Sequence, residues 1–331
     1  MFDLDPRDYD RDDARHDHDF DRFDRDDDHR PDWGDRLDDE RDRDGGRRDD
    51  RDRYGRERDR DTRDPRDVFT RDLDLPRGHE REIVRDRDRE YKLCGSESRT
   101  LSTVGSFRVV MARDLRDHND RPADARQGDL RHLRESQLVD VVRMDGRRDA
   151  AVVLTREGRR VLESHRRHHS RGRQQEYYAG LKKPRELEHD AHVYRAYLKV
   201  AERLRERDAR IERVALDYEL KRDYQRWLHH RDRERDDYDG HPDRTAREIA
   251  EWAHDHDLQY YDDQVHFPDL RIEYRELDGR ADHEDVEVTT LHYRGGHGAA
   301  ASKSGFTCFR ASSARCRGGS SFDPDLARDF V

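Results

Sequence analysis

The sequence predicts an α+β chain: a winged helix-turn-helix followed by an α/β domain with a small mixed sheet, both behind a disordered N-terminal arm. Three observations predict this. Residues 1–90 nearly alternate Arg and Asp, as in Arg41-Asp42-Arg43-Asp44, and the scattered Phe20, Phe23, Trp33 and Tyr54 have no helical or strand period. Residues 96–165 run from short helices into two strand-like segments around a turn, then into a capped helix. Beyond residue 186 the pattern is helix, strand, helix, helix, strand, strand, which indicates a second, α/β domain with a small mixed sheet.

Composition sets the bounds. Of the 331 residues, 46% are charged and 31% hydrophobic, against roughly 25% charged in typical domains. Residues 1–70 hold 18 Arg and no Lys against 28 Asp plus Glu, so nearly all of the formal net charge of −11 belongs to the arm. That charge therefore says nothing against a basic patch elsewhere. The arm offers too little apolar surface to offset the entropy of folding. The predicted divisions are an arm over 1–90, a winged helix over 91–168, an α/β domain over 169–310 and a Ser-, Gly- and Arg-rich mobile tail over 311–331. Cys94, Cys308 and Cys316 form no disulfide framework and no CxxC pair, so a reduced, cytoplasmic setting is expected. The first ten residues are acidic, unlike a secretory signal, and no apolar run approaches the ~20 residues of a membrane span.

In the first region Ser96 is a candidate cap, and Leu101, Val104 and Phe107 recur at helical spacing. A second short helix is predicted over 111–118 around Leu115, ending at Asn119-Asp120-Arg121-Pro122. The next helix places Leu130 and Leu133 on its apolar face, with Arg131, His132 and Glu135 opposite and Arg134 on the flank. Residues 138–144 and 150–154 are strands. The turn between them starts at Asp145-Gly146 and carries Arg147 and Arg148, and Thr155 caps the helix that follows.

A helix that enters the major groove needs cations for phosphates and polar tips for base edges. Arg126, Arg131 and Arg134 are the candidate helix cations, Gln127 and His132 the candidate base readers, and Arg147 and Arg148 the wing-tip cations. Duplex DNA is the expected partner, with a homodimer as a further option. Asp129 and Glu135 reduce the local positive charge. A protein-interaction role for the same fold stays open.

In the second region a helix over 186–207 buries Leu187, Ala191, Tyr194, Leu198, Ala201 and Leu204, leaving His189 and His192 toward solvent. A strand is predicted over 211–219, helices over 221–235 and 245–256, and strands over 265–274 and 285–293 around a Leu277-Asp278-Gly279 turn. Asp269 on one strand and Glu287 on the next can converge on one divalent cation, Mg²⁺ or Mn²⁺ being the expected cofactor. Glu219 is the candidate third carboxylate.

Pro268-Asp269 followed by Glu287-Val288-Thr289 resembles the paired motif of the PD-(D/E)xK nuclease-like fold. Thr289 stands where that fold usually has Lys, so Lys221 or Lys303 would have to reach the site from another element. A winged helix followed by such a domain is similar to the replication-relaxation family, winged-helix proteins associated with plasmid replication and mobilisation. The resemblance covers roughly residues 92–310. It implies a DNA-binding protein of a plasmid or mobile element.

Two other readings stay open: a metal-dependent nuclease, and a transcriptional regulator whose second domain only dimerises or senses a ligand. Asp269, Glu287 and Glu219 also stay open as ordinary polar residues on strand faces. The sequence has no GxxxxGK[ST] loop, no GxGxxG after a strand and no GxSxG elbow, which excludes the commonest nucleotide-binding and serine-hydrolase signatures.

Overall fold

The structure, a computed structural model, describes residues 64–143, 149–167, 173–180, 187–230, 244–289, 305–311 and 326–328. Most of the predicted arm, residues 1–63, lies outside them, as do Arg147, Arg148 and Lys303.

Among the described residues, secondary structure begins earlier than the sequence predicts. Helix α1 (Asp67–Thr70) and β1 (Glu82–Asp86) fall in the stretch assigned to the arm, and β2 (Arg89–Leu93), which forms a hairpin with β1, straddles its end. Phe69, Leu73, Leu75 and Val84 are buried there. These few apolar side chains show no period because they fill gaps between other elements instead of forming a face of their own.

Helix α2 (Gly95–Ser106) starts one residue before the predicted cap. Cys94, not Ser96, is the cap, and the Glu97 carboxylate returns to accept the Cys94 amide at 3.0 Å. Gly95 is required: a Cβ there would sit 2.3 Å from the Arg77 carbonyl oxygen. The predicted helix over 111–118 does not form. Instead β3 (Val110–Met111) pairs with Val152 and Ala151, a short 3-10 turn spans Ala112–Asp114, and Leu115 is extended. The pull of a third strand position outweighs the weak helical pattern.

Then come α3 (Gly128–Glu135), β4 (Val139–Arg143), β5 (Ala150–Leu154) and α4 (Arg156–Ser164). The sheet order is β3-β5-β4, all antiparallel. Thr155 caps α4 as predicted, its hydroxyl accepting the Gly158 amide at 2.9 Å.

The second region contains α5 (Leu187–Glu206), β6 (Arg210–Leu216), α6 (Asp217–Leu228) and α7 (Ala246–Asp255). A small hairpin of β7 (Gln259–Tyr261) and β8 (Gln264–His266) follows. Next are β9 (Leu270–Arg275), β10 (Ala281–Thr289), β11 (Thr307–Ala311) and β12 (Leu326–Arg328). The sheet order is β12-β11-β10-β9-β6, with β10 and β11 parallel and the other pairs antiparallel, so the sheet is mixed.

Several boundaries differ from the sequence reading: β10 starts at Ala281 instead of residue 285, and α6 spans Asp217–Leu228 instead of 221–235. The strand over 211–219 ends at Leu216, and Glu219 lies in the first turn of α6. The strand over 265–274 is two strands broken at Phe267-Pro268-Asp269, where proline has no amide to donate to a ladder. Strand β12 falls within the predicted tail.

One apolar core runs from Phe69 through Phe309 and is shared by both regions. At its centre Phe107 lies 4.9 Å from Tyr194, 5.0 Å from Tyr197 and 5.4 Å from Phe69, ring centre to ring centre. These offset and edge contacts suit aromatic quadrupoles. Among the described residues no helix is long and apolar enough to cross a membrane.

Candidate functional site

The first candidate surface is α3 with the turn before it. Leu130 and Leu133 are buried, which fixes the helix by its apolar face and turns Arg126, Gln127, Arg131 and Arg134 outward. Arg131 is held along the helix by Glu135 at 2.7 Å. Two predicted features are corrected. His132 is no open base reader, because its Nδ1 lies 2.8 Å from Glu97 Oε1. Asp129 does not dilute the surface charge: it is buried, accepts the His118 amide at 2.9 Å and lies 3.0 Å from the His118 ring nitrogen.

Glu97 also takes a fork from Arg81, at 2.7 and 3.2 Å. Burial alone would push its carboxyl up, but Arg81, the Cys94 amide and His132 together hold it below the usual carboxylate range. Cys94, Glu97 and Asp129 form the one trio of His, Cys, Asp or Glu donor atoms within 4.8 Å of one another among the described residues. Arg81 and His132 already occupy the Glu97 oxygens, so this trio acts as the joint between α2 and α3.

The second candidate surface is a row of acids at one end of the five-stranded sheet, and register builds it. Leu270 on β9 pairs with Leu216 of β6 on one side and with Val286 of β10 on the other. The next position along each strand is therefore Asp217, Asp269 and Glu287. The Asp217 amide donates to the Asp269 carbonyl at 3.2 Å, and the Val288 amide donates to Asp269 Oδ2 at 2.8 Å. Lys221, one turn along α6, lies 3.0 Å from Asp217. His189, near the start of α5, places Nε2 3.1 Å from Asp269 Oδ2 and Nδ1 3.5 Å from Asp190.

The structure thus brings together Asp269, Glu287 and Lys221 of the predicted set and leaves Glu219 out. Glu219 is buried against Arg213 in an ion pair. The strand ends three residues before the predicted 219, at Leu216, so Asp217 and not Glu219 stands at the end of the sheet. His189 and His192 are corrected as well: His189 faces the acids and His192 is buried, 3% exposed. Acidic residues flanking His189 in the first turn of α5 are the sequence signal for it.

The electrostatics show charges sharing a poorly hydrated space. Burial alone would push the His189 imidazole down, but hydrogen bonds to Asp190 and Asp269, with their charges, carry it up to about 11. Burial, and then the negative charge of Asp269, raises Glu287 to about 8, partly offset by His189 and Lys221. Two carboxylates in one site behave this way when too little positive charge is present. The donors are carboxylate oxygens, the kind that suits Mg²⁺ or Mn²⁺, and such ions keep several waters beside one or two carboxylates. Asp269 and Glu287 therefore fit a divalent ion chemically.

No protein-family model, curated protein or solved structure matches the chain.

Proposed function

We propose that the chain is a duplex-DNA-binding protein of the plasmid or mobile-element replication and mobilisation type, with residues 91–168 acting as a winged helix. The observation that carries this reading is α3 with the turn before it: the helix is pinned by Leu130 and Leu133 and presents Arg131 and Arg134 to solvent, the turn presents Arg126 and Gln127, and an antiparallel ribbon follows. Cations at that spacing meet successive phosphates, and Gln127 is the polar tip left to read a base edge once His132 is engaged. The test is duplex affinity across a salt series, which reads the number of phosphates neutralised.

A specific observation favours a second role for the other region. Asp269 and Glu287 lie side by side with Lys221 and His189 around them, on a sheet whose β10–β11 pair is parallel. That arrangement supports a PD-(D/E)xK-like site in which Asp269 and Glu287 would hold Mg²⁺ or Mn²⁺. The ion would supply Lewis-acid stabilisation of a phosphate. Lys221 provides the cation that Thr289 does not, and His189 orients Asp269 through its Oδ2. Nicking of supercoiled plasmid with either metal, compared with Asp269→Ala, tests this role. Absence of nicking would leave a DNA-binding regulator whose second region dimerises or senses a ligand.

A further inference from the structure

Beside the acid row is a small cleft lined by Arg108, His189, Asp190, Leu216, Asp217 and Asp269. Arg108 belongs to the first region, just past the end of α2, while the other five belong to the second. We propose that Arg108 is a phosphate anchor in this cleft, binding the phosphate of a nucleic-acid strand that reaches the Asp269–Glu287 pair. The proposal rests on the metal-site reading above and names the group that would hold the substrate there.

Three observations carry it. The Arg108 backbone is left-handed, with φ +59°, a conformation that disfavours any residue with a Cβ and suits glycine. Seven other non-glycine residues among the described ones share it, and Arg108 takes it as the residue after the Phe107 C-cap of α2, a position that sets its side chain at the cleft. Second, the guanidinium is drawn to acid without being locked. Its Nε is 3.6 Å from Asp190, beyond hydrogen-bond distance, whereas Arg271 grips Asp285 with two bonds of 2.7 and 2.8 Å. Third, the charges are complementary. Asp190, Asp217, Asp269 and Glu287 face His189 and Lys221, and a divalent ion on Asp269 and Glu287 would bring the acids near balance. Arg108 is then the remaining cleft cation, with a planar fork that matches two phosphate oxygens.

The experiment uses the full chain with Mg²⁺ as the divalent ion and inorganic phosphate as the probe, read by calorimetry. Arg108→Gly removes the guanidinium and also the backbone strain. Its melting temperature should equal or exceed that of the parent, while phosphate affinity falls ~10-fold or more, the loss of a charge-assisted bond. Arg108→Lys, which keeps the charge without the fork, should fall between the two. Unchanged phosphate affinity in Arg108→Gly, or no phosphate binding by the parent, overturns the anchor. So does a marked drop in melting temperature for Arg108→Gly, which would make Arg108 a structural partner of Asp190. The two proposals fail separately. Arg108-dependent phosphate binding without plasmid nicking removes the nuclease role and keeps the anchor. Nicking that needs Asp269 but is unchanged in rate and KM by Arg108→Gly does the reverse.

Discussion

The helix-and-ribbon region and the sheet region use the same Arg- and Asp-rich alphabet in opposite ways. Around α3, Glu97 and Asp129 are buried, Glu97 against Arg81 and Asp129 beside His118, while Arg126, Arg131 and Arg134 face solvent together with Glu135. At the end of the sheet the acids form the row, and His189 and Lys221 are the flanking partners. Composition does not distinguish the two regions; register and burial do. A charge acquires a role from the low-dielectric wall behind it and from the neighbour that the backbone supplies.

The largest effect expected from breaking this contrast is on chemistry. Asp269→Ala should lower metal-dependent plasmid nicking by ~100-fold or more, as for loss of a group that holds the catalytic ion, with duplex affinity unchanged. Nicking by the variant at the parental rate would remove the acid row from the reaction. Next is the core that both regions share. Phe107→Ala should cost ~3–5 kcal/mol, the usual range for a buried Phe, and denaturant titration should show both regions unfolding in one transition. Two separated transitions would show that the regions are independent.

How much of this was legible in the sequence depends on what each feature rests on. Thr155, Leu130, Leu133 and the two strands 139–143 and 150–154 were legible because caps and apolar periodicity are local. The pairing of Asp269 with Glu287 was legible because Asp269 directly precedes one apolar strand and Glu287 lies on the next, where antiparallel register brings them together. Phe69 and Val84 were not, since their burial comes from partners far along the chain. His189 was missed because helix periodicity reports the buried stripe, whereas this residue sits at the helix start, where the sheet end meets it. Glu219 was misplaced because a strand-to-helix junction at Leu216–Asp217 has no breaker residue to mark it.

A smaller effect sharpens the electrostatic half of the contrast. Glu287 has a folded pKa of about 8, above its ordinary 4.5, so the folded state binds more protons and loses stability as pH rises between those values. Glu287→Gln does not titrate. Its melting temperature should match the parent near pH 4.5 and exceed it by a growing margin up to about pH 8. A constant difference across that window would contradict the shared-site picture. The smallest effect belongs to the α3 surface: Glu135→Gln releases Arg131 from its partner and should tighten duplex binding by about two- to threefold, the scale of an exposed i,i+4 pair.

The most direct test of the division between the regions is duplex affinity by fluorescence anisotropy over a salt series, for the parent, for Asp269→Ala, and for Arg126→Ala, Arg131→Ala and Arg134→Ala combined. The triple variant should bind at least ~10-fold more weakly at low salt, with a log–log salt slope shallower by about 3, one phosphate per Arg, while Asp269→Ala follows the parent. A triple variant with the parental affinity and slope would contradict DNA recognition by α3.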